Sequence, residues 1–370
     1  MKNLFKEMKA RLCGQAGIGI VELLVALTIG LILMGGIFQV FVGSTTTYSF
    51  TEDLSRLQEN GRFALHILKR EVREAGFLGC LQDVGSFKNT LNNPDNFAYD
   101  FSEAIYGLDA NGGNWADDAG AVDPALAGTA NMGLPADRLP LAGSDILVLR
   151  GVRADIAAIE VGMPPTSADL KMTAGLAAAG ILKEGGGDIL LITDCEGAAV
   201  FQTTQYVDNN GNANHNTGVG VPGNSTKALS DKPGHSFGEG STVYFPQTVT
   251  FYLSNNDAGQ PSLYRQINQG APVELVDGVE NMQVVYGEDT DGDRLADRYV
   301  AATAVTDWGN VVSARVGLLM RTVDEILRGP VDNNRYDVDG DAVLEYNAPG
   351  NDRRLRMVVR GTMGLRNRLR

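Results

Sequence analysis

Apolar and polar positions fall into three regimes along the chain. Residues 18–43 are apolar or small almost without interruption, and Glu22 is the one charged side chain among them. At ~1.5 Å rise per residue such a run makes a helix of about 39 Å, enough to cross a bilayer with some tilt. Beyond it, Leu54, Leu57, Gly61, Leu65, Leu68, Val72 and Ala75 recur by threes and fours, while Arg56, Glu59, Arg62, Lys69, Arg70 and Arg73 mostly fall off that stripe. This spacing predicts an amphipathic helix with one covering face. Gly76 and Gly79 end it, and Gly61 is expected to weaken it by ~1 kcal/mol relative to Ala and to mark a bend.

From Phe77 onward, short β-like runs alternate with stretches rich in Gly, Asn, Asp and Ala. Strands are expected at 145–150, 188–193, 198–202, 242–254, 262–267, 282–286, 311–321 and 355–361, with 255–261 as a hairpin loop. Segments 86–140 and 203–240 have few apolar runs and read as long surface loops, a length that marks a binding role or disorder. No linker of Pro or Ser repeats divides the region, so one elaborated domain is expected. The expected class is α+β: a long N-terminal helix, half membrane-spanning and half amphipathic, packed on a large antiparallel β-rich head.

Glu22 demands an explanation, because an ionisable group inside a membrane segment costs ~2.5–3.5 kcal/mol even on a lenient scale. A cut after Gly17 would set the new amine of Ile18 one helical turn from the Glu22 carboxylate. Lys2, Lys6, Lys9 and Arg11 precede the run. This arrangement resembles the type IV prepilin signal, a short basic leader ending in Gly before an apolar helix with Glu at its fifth position. The resemblance implies a leader over 1–17 cleaved after Gly17 by a prepilin peptidase, N-methylation of Ile18, and a part for Glu22 in setting subunit register. It implies a type IV pilin-like fold with the helix over 18–76, its transmembrane segment over 18–43, and the head over 77–370. Ile18 and Gly19 stand where the family usually has Phe and often Thr. The leader's charges place it in the cytoplasm and everything after Ser44 outside, so the chain is expected in the inner membrane as a single pass with a periplasmic head.

Removing the leader, with four basic residues and one acid, takes the net charge from −14 to −17. So acidic a protein lacks the cationic face that nucleic-acid binding needs, and no such partner is expected. Of Cys13, Cys80 and Cys195, the first leaves with the leader. In an oxidising compartment Cys80 and Cys195 are expected to pair, contributing up to ~4–5 kcal/mol in the chain-entropy model.

Several segments together resemble the PilW family of large minor pilins. They are Gln58 to Leu65 (QENGRFAL), Arg73 to Cys80 (REAGFLGC), Thr193-Asp194-Cys195, Tyr286 to Asp293 (YGEDTDGD), Val311 to Leu318 (VVSARVGL) and Leu365 to Leu369 (LRNRL). The resemblance implies a minor pilin that primes or caps a type IV pilus with other minor pilins and the major pilin, reaching the cell surface at the pilus tip. The alternatives are a type II secretion pseudopilin of the J kind, usually much shorter, and a tip adhesin.

One pattern occurs twice with identical spacing: Asp289, Asp291, Asp293 and Asp297, then Asp337, Asp339, Asp341 and Glu345, each with Gly after the second acid. Alternating acids on a tight loop can converge hard oxygen ligands on Ca²⁺, which takes six to eight of them. They differ from an EF-hand, whose Gly is sixth and whose last acid is twelfth, and Asp-Gly turn chemistry accounts for the same residues. No cofactor is expected to be required, Ca²⁺ being the one candidate. No enzyme is expected either: His66, His215 and His235 are scattered, and no nucleophile elbow, phosphate-cradling loop or H-E-x-x-H spacing occurs. The tail from Arg353 to Arg370 carries seven arginines and no acid after Asp352, and reads as a strand with Arg outward, either a solvated edge or a docking surface for acidic subunits.

Overall fold

A computed structural model describes residues 19–81, 87–111, 114–117, 120–122, 132–162, 167–325 and 331–367. Cys13, Gly17 and Ile18 lie outside them. The chain divides into two compact units, Met1–Ser55 and Arg56–Arg370.

The first unit consists, in its described part, of the opening of helix α1 (Ile20–Glu74). It is the one helix among the described residues long and apolar enough to cross a membrane. Its side chains are almost all exposed, including Leu31, Ile32, Ile37 and Phe38. The hydroxyls inside the run bond back to helix carbonyls, as Thr28 Oγ1 does to Leu24 O at 2.8 Å and Thr46 Oγ1 to Val42 O at 2.7 Å. A donor satisfied within its own helix can sit in hydrocarbon without a partner from outside.

In the second unit the remainder of α1 buries Leu57, Gly61, Ala64, Leu68 and Val72, followed by Ala75. The expected stripe is met, shifted by one residue where Ala64 takes the core and Leu65 is half-buried. The helix runs unbroken through Gly61. A Cβ there would come within 3.1–3.3 Å of Val359 and Met320, so glycine serves a close approach of helix to sheet. Gly76, at φ 72°, ends the helix and donates its N–H to Arg150 O at 2.8 Å. The terminal carbonyl of Ala75 accepts from Asn367 Nδ2 at 3.0 Å, so a residue near the end of the chain caps the helix.

The strands are β1 (Phe87–Asn89), β2 (Ile105–Asn111), β3 (Asn114–Asp117), β4 (Gly120–Val122), β5 (Ile146–Val161), β6 (Asp169–Met172), β7 (Ile189–Thr193), β8 (Ala198–Gln202), β9 (Gln205–Val207) and β10 (Asn212–Asn214). They continue with β11 (Thr242–Asn255), β12 (Pro261–Ile267), β13 (Val273–Asp277), β14 (Val279–Glu288), β15 (Arg298–Val300), β16 (Val311–Arg321), β17 (Arg335–Tyr336), β18 (Tyr346–Asn347) and β19 (Arg356–Gly364). A 13-stranded sheet runs β1-β8-β7-β11-β5-β2-β3-β4 with branches, and a 4-stranded sheet runs β15-β14-β16-β19. Every pairing is antiparallel except β1 with β8. All eight expected strands are present, and the hairpin closes with Asn255 opposite Pro261.

One core joins α1 to both sheets through Leu68 and Val72, Leu149, Phe251 and Leu263, and Met282, Leu318 and Met320. The two sheets are stitched at Ser144-Asp145. The Asp145 carboxylate accepts from Ala110 N of β2 at 2.9 Å and from Val284 N of β14 at 2.8 Å, and Met282 N donates to Ser144 Oγ at 3.0 Å.

Segments 86–140 and 203–240 are not plain surface loops where they are described. They contain β1–β4, β9 and β10, and they bury Phe101, Trp115, Met132, Tyr206, His215 and Phe237. Their apolar residues are too sparse for a periodic signal, yet each anchors one short strand or turn, as when Trp115 Nε1 donates to Ser144 O at 2.8 Å.

Candidate functional site

Glu22 lies in the first turns of α1 and is exposed. Its neighbours on the helix surface are apolar, so its charge has no protein environment within the described residues that would offset it. The Cys80–Cys195 disulfide is formed, with a Cα–Cα distance of 4.8 Å and a sequence separation of 115. It ties the chain just after α1 to the turn between β7 and β8. The adjoining Asp194 carboxylate orders that turn by accepting from Glu196 N and Gly197 N, both at 2.9 Å, and His235 Nε2 lies 3.0 Å from its other oxygen.

Both acidic loops have the same backbone plan. The first residue, Asp289 or Asp337, accepts from the N–H three and five positions on: Gly292 at 2.7 Å and Arg294 at 2.8 Å, Gly340 at 2.5 Å and Ala342 at 3.2 Å. Non-glycine residues Arg294 and Ala342 sit at φ 69° and 73°. Their carboxylates differ in placement. In the first loop, Asp289, Asp291 and Asp293 bring oxygens within 4.8 Å of one another, whereas Asp297 turns to Thr290, accepting from its N and Oγ1 at 2.7 Å. In the second, all four acids converge within 4.8 Å. Asp339 there is buried, and Glu345 accepts from Val338 N at 2.6 Å while its Oε1 is buried with no hydrogen-bond partner. Burial holds the Asp339 and Glu345 carboxyls above their ordinary range, and neighbouring acids add to the effect. In the first loop the Thr290 hydrogen bonds pull Asp297 below it.

The C-terminal arginines divide: Arg353, Arg360 and Arg366 are exposed, whereas Arg354 is half-buried and Arg356 turns inward. Arg356 is buried in a cage of three carboxylates: Nε lies 2.5 Å from Glu280 Oε2, Nη1 3.1 Å from Asp332 Oδ2, and Nη2 bonds Asp352. Arg321 reaches the same Glu280 at 3.1 Å. Arg354 pairs with Asp352 at 3.1 Å, and Arg360 with Asp337 at 3.2 Å. The chain's own acids pair with Arg354, Arg356 and Arg360, while Arg353 and Arg366 form no ion pair among the described residues; Arg368 and Arg370 lie outside them. Sequence reasoning missed Glu280, Asp332 and Asp352 as partners, because each is isolated in its own segment.

None of the three histidines joins a group of metal-ligating side chains among the described residues. His66 is exposed on α1, His215 is buried with its pKa lowered by burial, and His235 pairs with Asp194.

No curated protein matches the chain. Among solved structures, a type IV-like pilin from Thermus thermophilus aligns at 16% identity and a TM-score of 0.21, covering 50% of this chain and 87% of its own. Residues 250–367 match the sequence model of the type IV pilus-assembly protein W family, PilW, over a span that runs from β11 through both acidic loops to the helix-capping Asn367. That match bears out the resemblance read from the sequence, and ties the C-terminal part of this chain to a type IV pilus-assembly family.

Proposed function

We propose that the protein is a minor pilin that primes or caps a type IV pilus and is not an enzyme. The observation that carries this reading is one continuous helix with two chemistries. Its first part is an exposed apolar surface containing Glu22, and its second supplies the core of a head whose C-terminal strands match a pilus-assembly family. An apolar helix with one acid is suited to pack among like helices, where the acid meets the amine that cleavage after Gly17 would create. In this reading residues 1–17 are the leader, 18–76 the filament helix with its membrane part over 18–43, and 77–370 a periplasmic head that contacts other minor pilins and the major pilin. The protein waits in the inner membrane and then joins the surface filament.

Mass spectrometry of the N-terminal peptide from sheared filaments and from inner membrane tests this. The expected species is a chain starting at N-methylated Ile18 in the sheared fraction. Processed chain confined to the membrane favours a J-kind pseudopilin, an uncut Met1 terminus overturns the prepilin reading, and normal piliation with lost attachment in a deletion strain favours an adhesin.

For the acidic loops we propose Ca²⁺ as the ligand, with the second loop the stronger site. Four converging carboxylates and a buried Glu345 oxygen without a donor match a hard divalent cation of high coordination number. A melting temperature unchanged by millimolar Ca²⁺ would remove this assignment.

A further inference from the structure

The 13-stranded sheet forks along β11. On one side β11 pairs with β5 from Thr242 to Phe251. On the other it pairs with β7 only through Tyr244, and with β12 only from Val249. The gap between them is closed in part by Asn268, whose N donates to Thr248 O at 2.7 Å and whose Oδ1 accepts from Thr248 N at 2.9 Å. Phe245, Pro246 and Gln247 span the rest of the gap, and Pro246, having no N–H, presents no donor there. Two register shifts around Tyr244 and Pro246 bend the strand away. A cleft of about 500 Å³ opens at this fork. That size lies within the range of small-ligand sites, which pair apolar walls with a few convergent polar groups.

The chemistry of the cleft is specific. Arg153 lies with its guanidinium 5.7 Å over the Phe245 ring and forms no ion pair among the described residues. The acid of the cleft, Asp188, is already answered: it accepts from Lys183 N at 2.7 Å and lies 3.8 Å from Lys183 Nζ. In a chain of net charge −14, this is a planar cation stacked on a ring in a concave site, with no ion pair among the described residues. Such a fork of donors suits a carboxylate, which it can bind in bidentate fashion. Beside it, the Gln247 side-chain amide makes no hydrogen bond among the described residues and can both donate and accept, as paired hydroxyls require. Ile267, 39% exposed, and the half-buried rings of Tyr99 and Phe245 offer apolar surface for the C–H face of a ring.

We propose that this cleft binds an acidic saccharide unit, its carboxylate on Arg153 and its hydroxyls on Gln247. The site belongs to the head alone and is independent of whether the chain enters a filament. The test titrates the full chain in detergent micelles with glucuronate, N-acetylneuraminate and neutral glucose, followed by saturation-transfer NMR and calorimetry. The sugar acids are expected to bind with a Kd on the order of 1 mM, and glucose at least tenfold more weakly. Arg153→Ala is expected to weaken the acids about tenfold, and Arg153→Lys to fall between, since it keeps the charge but loses the fork. Both replace an exposed side chain, and an unchanged melting curve confirms a folded head. Equal binding of glucose, no saturable binding of either acid, or an Arg153→Ala variant indistinguishable from the parent would each overturn the proposal. Displacement of the acids by an oligo-aspartate peptide that binds more tightly would instead assign the cleft to an acidic protein partner.

Discussion

Two clusters of carboxylates lie along strand β19, one around Arg356 and one reached by Arg360, and they are electrostatic opposites. Around Arg356, three acids drawn from separate segments enclose a buried guanidinium; against the effect of burial, hydrogen bonds from Asn334 N, the Tyr336 hydroxyl and Arg356 hold Asp332 below its ordinary range, and those from Arg356 and Arg354 N do so for Asp352. In the Asp337–Glu345 loop, four acids from one short segment converge with only Arg360 reaching the rim, and Asp339 and Glu345 are pushed up. The chain has supplied a cation to the first cluster and withheld one from the second. Clustering of acids therefore does not by itself mark an ion site here; what distinguishes the two clusters is the counter-charge set among their oxygens.

The largest effect is expected from emptying the cage. Arg356→Met removes the one buried cation shared by three carboxylates, leaving Glu280 with Arg321 and Asp352 with Arg354 alone, and should cost ~3–5 kcal/mol in urea denaturation. A loss below ~1 kcal/mol would mean that the cage is solvated and the contrast with the loop is unreal. Filling the other cluster comes next. Ca²⁺ at a hundred times its Kd should stabilise the protein by ~2.7 kcal/mol, read as a rise in melting temperature. Asp339→Asn should abolish most of that rise, whereas Asp297→Asn in the first loop should leave it in place.

Acidification without Ca²⁺ separates the two by sign. Asp332 and Asp352, depressed on folding, contribute stability that is present above their ordinary pKa of 3.8 and is lost as pH falls through their lowered values. Asp339 and Glu345, raised on folding, act the other way. The stability they favour is fully present below their ordinary values of 3.8 and 4.5, and is lost as pH rises through the raised ones. Carboxyl-carbon NMR titration should therefore find the two pairs on opposite sides of ordinary carboxylates, and coincident titrations would break the comparison. The smallest effect is expected at the rim: Arg360→Ala removes a half-exposed ion pair and should cost ~0.2–1 kcal/mol. A cost of several kcal/mol would make Arg360 a second internal counter-ion and weaken the case for Ca²⁺.

Much of the architecture was legible because it rests on local periodicity. The 3.6-residue stripe of Leu57, Leu68 and Val72 and the strand runs at 198–202 and 311–321 fall where the pattern places them, since a helix or strand face is written in neighbouring residues. The spacing of the acidic loops was equally plain. Their unequal convergence was not, because Asp297 and Glu345 occupy the same position in the pattern, and beyond the extra methylene of Glu345 what separates them is what stands opposite: Thr290, whose hydroxyl holds Asp297, against Val338. The arginine tail misled for a related reason, since alternation along β19 says nothing of acids 76 positions away.

By itself the sequence determined that this protein has an apolar helix bearing a lone acid, an amphipathic continuation, an antiparallel head and two cysteines to pair, all properties set by short-range spacing or by count. Only the tertiary structure decided that Gly61 is a contact point of helix on sheet, that Asp145 stitches two sheets across 139 positions, that Arg356 is caged, and that a cleft opens where β7 and β12 part along β11. Each of these depends on which distant backbone lies opposite. Side-chain pairing over such separations is selected by the packing of the whole core, and carries no periodic signal in the chain.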